Sequence, residues 1–198
     1  MDEHKEKLLG TIEDLKKQVH DLEKDLIHDS LTSLKTRAFF EEESNIYLSA
    51  ISDINTSKRR EWFGFKNIGF LFFDIDYFKK INDKYGHAIG DVVLKGVTQT
   101  ILKNVRSGDT VARWGGEEMV SLLLGANETD ARQKAEEIRK KIEELVFDFD
   151  PDLKVTVSIG VANTNKKIAL TELVEQADKA MYKAKETGRN KVVVYSEL

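Results

Sequence analysis

The sequence predicts an α+β fold: a ferredoxin-like βαββαβ core behind an N-terminal coiled-coil helix. Three observations carry that reading. Ile68-Gly69-Phe70-Leu71-Phe72-Phe73 is a continuous apolar run closed by acids, as a buried central strand requires. Gly115-Gly116 separates two short apolar runs, Val111 to Trp114 and Met119 to Leu124, which is a hairpin signal. Between these strands, apolar residues recur at helical spacing.

The elements follow in order. Residues 1–28 form a separate unit. There Leu8, Ile12, Leu15, Val19, Leu22 and Leu26 are spaced +4, +3, +4, +3, +4, with Ile or Val at most a positions and Leu at d. That choice favours a parallel two-stranded coiled coil. The alternative is an amphipathic helix packed on its own domain. The next seam position is Asp29, where the zipper stops and the domain spanning residues 29–198 begins. Thr32 is placed to cap a helix running to about Ile54, with Phe40, Ile46, Tyr47 and Ala50 on its inner face. Residues 55–66 read as a polar loop. After the central strand comes a helix near residues 78–84, then a break over Gly86-His87-Ala88-Ile89-Gly90, then a helix from about Asp91 to Val105. The hairpin follows, its Gly-Gly turn expected at positive φ. A helix over roughly 128–146, a strand from Val155 to Val161, a helix from Thr171 to Glu186 stopped by Gly188, and a strand from Val192 to Tyr195 complete the chain.

Composition narrows the function. The chain has 198 residues, 40% of them apolar, enough for a sizeable core. Its net charge of -4 provides no basic footprint for nucleic acid or membrane surfaces. No apolar run approaches the ~20 residues of a membrane span, so no membrane insertion is expected, and the charged start MDEHKEK does not read as a signal peptide. There is no cysteine, which suits a reducing cytoplasm, and the four histidines show no zinc spacing.

Two acidic features then meet. Asp74 and Asp76 lie at the end of the central strand; Glu117 and Glu118 follow the hairpin glycines. In a βαββαβ plan these segments are neighbours. Converging carboxylates repel unless a hard divalent cation lies between them, and carboxylate oxygens suit Mg²⁺. Mg²⁺ in turn favours phosphate oxygens, which points to a nucleotide. The plainer alternative is a set of acids exposed at strand ends. Tyr77-Phe78-Lys79-Lys80 opens a helix whose first N–H groups suit phosphate, and Lys185 and Arg189 flank the end of the last long helix. Taken singly, these cations could equally be solvated surface charges.

Asp74-Ile75-Asp76-Tyr77-Phe78-Lys79-Lys80-Ile81-Asn82-Asp83, Gly86-His87, Gly90-Asp91 and Arg113-Trp114-Gly115-Gly116-Glu117-Glu118 together resemble the GGDEF family of diguanylate cyclases. Asp29-Ser30-Leu31-Thr32 with Leu34 and Arg37, Val157-Ser158-Ile159-Gly160, and Ala177-Asp178 through Lys185 to Gly188-Arg189-Asn190 are similar to three further blocks, so the resemblance spans about residues 29–195. It implies a nucleotide-cyclase, polymerase-palm-like core and a cytoplasmic enzyme. Such an enzyme joins two GTP into cyclic di-GMP across a homodimer, with Mg²⁺ or alternatively Mn²⁺. It implies Asp74, the Ile75 carbonyl and Glu117 as metal ligands. It implies Glu117, Glu118 and Lys79 as the catalytic set, with help in activating the 3′-hydroxyl as one role for Glu118. Asn82 and Asp91 match the guanine-reading pair; Phe78, Lys79, Lys185 and Arg189 match the triphosphate cradle. Arg106 and Asp109, upstream of the signature, match the inhibitory RxxD site for product.

The chain departs from the pattern at Met119 (commonly Phe), Ser33 (commonly Gly), Thr36 (commonly Asn) and Glu137 (an Arg in some relatives). Met119 implies local repacking, and Glu137 puts one geometry of product inhibition in doubt. The competing reading is a weakly active domain that senses GTP or cyclic di-GMP, or serves as a dimerisation module.

Overall fold

A computed structural model describes residues 2–53, 66–166 and 168–198. The expected loop over 55–66 lies outside them, apart from Lys66. Helix α1 (Asp2–Ile27) leads into α2 (Arg37–Asp53), β1 (Ile68–Ile75), α3 (Phe78–Tyr85), α4 (His87–Lys103), β2 (Thr110–Arg113), β3 (Glu118–Leu124), α5 (Glu128–Glu143), β4 (Val157–Thr164), α6 (Leu170–Glu186) and β5 (Val192–Val194), with a closing 3₁₀ turn over Tyr195–Glu197. The sheet order is β2-β3-β1-β4-β5. All pairs are antiparallel except β4–β5. Strands β1 to β4 and the helices between them are the expected ferredoxin-like plan, with β5 added at one edge.

Strand β1 is buried at all eight positions because helices cover both faces. Its side chains alternate. Leu71, Phe73 and Ile75 enter a core with α3, α4 and α5 through Phe78, Val93, Val97 and Ile138. Ile68, Phe70 and Phe72 enter a second core with α2 and α6 through Phe40, Leu48, Leu173 and Met181. By this parity Asp74 points to the α2/α6 side, as does its register partner Glu118 on β3. Helix α6 lies tight on the sheet at Gly160, where a Cβ would stand 1.9 Å from the Ala177 carbonyl oxygen. Any larger residue would push α6 away from the end of β1.

Several expectations need correction. Thr32 does not cap α2. It sits in a turn whose amide and hydroxyl both donate to Asp29 Oδ1, at 2.9 and 2.7 Å. The cap is Thr36, whose Oγ1 accepts from the Phe39 amide at 3.4 Å and donates to the Leu26 carbonyl at 2.7 Å. Ile46 faces outward at 57% exposure, and Leu48 and Ile51 take the inner positions. The break between α3 and α4 is the single residue Gly86 (φ 83°), so α4 already begins at His87. Ser33 adopts φ 60°, which accounts for glycine being common there in the resembled pattern.

Along α1, Ile12, Leu15 and Leu26 are 44%, 54% and 72% exposed, so the seam at these positions is not packed on the domain. The side chains of Leu8, Val19 and Leu22 lie outside the described set. Among the described residues no helix is long and apolar enough to cross a membrane.

Candidate active site

Asp74 is 5% exposed at the end of β1. Lys185, the penultimate residue of α6, places Nζ 2.7 Å from Asp74 Oδ2. Burial pushes the Asp74 carboxyl up to about 6; Lys185 opposes this, while Glu117 and Glu118 add to it. Burial likewise raises Glu118; Lys185 and Arg37 oppose that, and Asp178 and Glu117 reinforce it. The Ile75 amide donates to the Glu117 carbonyl at 3.4 Å, which draws the hairpin turn alongside β1. The structure therefore brings Asp74, Ile75, Glu117, Glu118 and Lys185 to one strand end. Acids in close repulsion at a half-dry position are a donor set that fits a hard divalent cation. Among the described residues, however, no three His, Asp or Glu side chains converge as a ready-made metal cluster. The expected set needs only two side chains, Asp74 and Glu117, with the Ile75 carbonyl.

The hairpin turn is built differently from the expectation. Neither Gly115 nor Gly116 has positive φ; among the described residues the positive-φ glycines are Gly86, Gly125 and Gly188. Trp114 and Gly115 amides both donate to the Glu118 carbonyl, at 2.9 and 3.3 Å, closing a wider loop. Gly115 leaves room for the Glu118 carboxylate: a Cβ there would meet Oε2 at 2.6 Å and displace the tip of that side chain. Arg113 holds this loop from below. Its Nε and Nη2 donate to the Gly116 carbonyl at 3.2 and 2.8 Å, and Nε is shared with Gly115 at 3.2 Å. Its Nη1 reaches both oxygens of Asp29, at 3.2 and 3.1 Å. Asp29 and Arg113 thus connect the end of α1 to the acidic turn.

Helix α3 is preceded by Tyr77, a left-handed residue (φ 57°) whose carbonyl accepts from the Lys80 and Ile81 amides. The Phe78 and Lys79 N–H groups precede the first possible intrahelical bond and stay available, with the Lys79 side chain exposed. Asn82, on the next turn, packs against the start of α4. A Cβ on Gly90 would stand 1.8 Å from Asn82 Oδ1, so only glycine lets Asn82 lie beside the residue that precedes Asp91. Arg189 follows α6, with Nη1 3.3 Å from the Tyr77 hydroxyl oxygen.

Asp76 is not a free acid of this site. Its oxygens accept from Thr156 Oγ1 and Ser158 Oγ, each at 2.7 Å, and from the Asn190 amide at 3.0 Å. Sequence reading missed this role. The signal was the polar alternation of Thr156 and Ser158 in a strand otherwise made of Val155, Val157 and Ile159.

Arg106 and Asp109 lie at the other end of the sheet. Asp109 Oδ1 accepts from the Leu124 amide at 3.1 Å, and Leu124 is six residues along β3 from Glu118, about 20 Å at strand rise. Asp109 Oδ2 accepts from the Arg106 amide at 2.9 Å. Both residues line an open groove with Asp130, Lys134 and Glu137, and Lys134 pairs with Glu137 at 2.6 Å.

Comparison with known proteins is consistent with this geometry. Residues 26–191 match the family described as "Diguanylate cyclase, GGDEF domain". Diguanylate cyclase A of Treponema denticola is 39% identical over 168 residues, covering 84% of this chain and 43% of that protein. Probable diguanylate cyclase DgcT of Escherichia coli K12 is 46% identical over 129 residues, covering 63% of this chain and 28% of that one. The chain therefore spans less than half the length of these curated relatives. A crystal structure of the coiled coil and GGDEF domain of DgcB from Caulobacter crescentus, in complex with c-di-GMP, superposes with TM-score 0.83 at 26% identity, covering 95% of both chains. With the matched segment running from the end of α1 to the threshold of β5, the chain belongs to the GGDEF-domain family of diguanylate cyclases.

Proposed function

We propose that this chain condenses two GTP into cyclic di-GMP and two pyrophosphates, each protomer of a homodimer holding one GTP. The observation that carries the reading is the convergence of Asp74, Glu117, Glu118 and Lys185 at one strand end, beside the open start of α3. In each half-reaction a 3′-hydroxyl oxygen bonds to the α-phosphorus of the GTP across the interface. The bond from that phosphorus to pyrophosphate breaks, and the hydroxyl proton leaves. Glu118, its carboxyl raised by burial, is suited to receive that proton. Lys79, the Phe78 and Lys79 amides, Lys185 and Arg189 hold the triphosphate. Asp91 accepts from guanine N1–H and N2–H, a pair adenine does not offer, and Asn82 beside it completes the guanine-reading pair.

Asp74, Glu117 and the Ile75 carbonyl would hold Mg²⁺, or Mn²⁺ in its place. Such an ion supplies charge neutralisation at the transferring phosphorus. The dimer is supported by the exposed seam of α1 at Ile12, Leu15 and Leu26. Product feedback at Arg106 and Asp109 is supported by the open groove they line. Asp109 already accepts two backbone N–H groups, so we assign it to shaping the turn and Arg106 to contacting product.

The test is incubation with GTP and Mg²⁺ followed by chromatography of products. Cyclic di-GMP and pyrophosphate are expected. Glu117→Gln should lower the rate roughly 100-fold or more with the thermal melt preserved. A Glu117→Gln protein that keeps the parent rate would overturn the metal assignment.

A further inference from the structure

Two consecutive residues at the end of β1 reach across to two consecutive residues after α6. Tyr77 is an aromatic residue in the left-handed region, and its side chain is 52% exposed, so core burial does not explain it. Two cations stand over its ring: Lys80 Nζ at 4.4 Å and Arg189 Cζ at 4.5 Å from the centroid. The Arg189 guanidinium also donates to the Tyr77 hydroxyl at 3.3 Å. Next to it, Asp76 takes the Asn190 amide. Arg189 (φ 61°) and Asn190 (φ 47°) are both left-handed without being glycine. Such backbone persists only where surrounding contacts over-determine it. Here they do: the Asn190 side chain accepts from Arg139 Nη1 and donates to Glu143 Oε1, each at 2.7 Å.

We propose that Tyr77 is a positioning residue for Arg189, its ring holding the guanidinium over the start of α3 while the Asp76–Asn190 bond fixes the backbone beneath it. The proposal rests on the reading of Arg189 as a triphosphate contact. A free arginine must surrender several side-chain rotations to grip a phosphate in its bidentate geometry. One already held on a ring surrenders fewer, so the gain appears in nucleotide affinity. Because Tyr77 touches the arginine and not the reacting atoms, the chemical step is left alone.

The experiment combines steady-state kinetics on GTP with calorimetric binding of 3′-deoxy-GTP and Mg²⁺, a nucleotide that lacks the attacking hydroxyl. Tyr77→Asn keeps a residue that tolerates the left-handed backbone and removes the ring. It should raise KM for GTP and Kd for 3′-deoxy-GTP roughly two- to fivefold, as expected of an exposed cation–π contact. Turnover at saturation should stay within twofold, and the melting temperature should hold or rise. Tyr77→Phe keeps the ring face and should recover most of the affinity. In an Arg189→Ala background, Tyr77→Asn should add nothing. If the two substitutions add independently while the parent binds and turns over GTP, this proposal alone fails. A Tyr77→Asn protein with parent affinity overturns it as well. A parent chain that binds no 3′-deoxy-GTP overturns both this proposal and the cyclase reading.

Discussion

Arg113→Ala tests how the acidic turn is held. The Arg113 and Asp29 side chains are each 22% exposed, so their ion pair is partly shielded from water. The substitution deletes the bonds to Asp29 and to the Gly115 and Gly116 carbonyls. A hydrogen bond involving a charged group is worth about 1.5–3 kcal/mol, and such values do not add within one cluster. Asp29 keeps its two Thr32 partners, and water can reach the exposed Gly116, so the net loss is near that of one such bond, about 2 kcal/mol. For a chain of this size that corresponds to ~4–8 °C in melting temperature. Arg113→Lys restores a charge for Asp29 but cannot supply the planar fork that also engages the carbonyls. We therefore expect Lys to recover most of the stability while cyclic di-GMP formation stays impaired, because Glu117 and Glu118 ride on the released turn. Calorimetric melts and pyrophosphate release measure the two effects separately. Arg113→Ala melting within ~1 °C of the parent, or Arg113→Lys restoring full turnover, would refute the reasoning.

Gly115→Ala forces Glu118 to move, since the new Cβ would lie 2.6 Å from Oε2; turnover should fall while the fold survives, which circular dichroism beside a product assay would check. The Asp29 carboxyl is opposed by burial but held below its ordinary value of 3.8 by the Thr32 hydroxyl and amide and by Arg113. Its contribution to stability is therefore complete above that value and lost as pH falls through the lower folded value, so Asp29→Asn should flatten the acid limb of stability below about pH 4. Parallel acid limbs in the two proteins would contradict this. Replacing Leu15 and Leu22 with glutamate should cost about 2–5 kcal/mol per paired layer, so that specific activity falls on dilution and recovers on concentration. Activity independent of dilution would show that α1 is not the dimerising element.

Much of this protein is legible in its sequence because the information is local. Strand β1 announces itself as an unbroken apolar run, α5 and α6 as 3.6-residue periods, and Gly188 as a helix stop. The adjacency of Asp74 and Glu118 follows from strand parity once a βαββαβ order is accepted. The tertiary structure decided matters that periodicity cannot carry, because period specifies which face a residue takes and not what stands opposite. Asp74 and Asp76 have the same charge and the same parity. One meets Lys185 and the hairpin acids, while the other is saturated by Thr156, Ser158 and Asn190, which lie 80, 82 and 114 residues further along the chain. Gly115 looked like a requirement for positive φ, but its φ is not positive, and what its missing Cβ provides is room for the Glu118 carboxylate. Asp109, which the sequence places only beside Arg106, is tied by its Oδ1 to the Leu124 amide at the end of β3. Each outcome depends on a partner brought close only by folding, and hydrogen-bond capacity already used by such a partner leaves no trace in the order of residues.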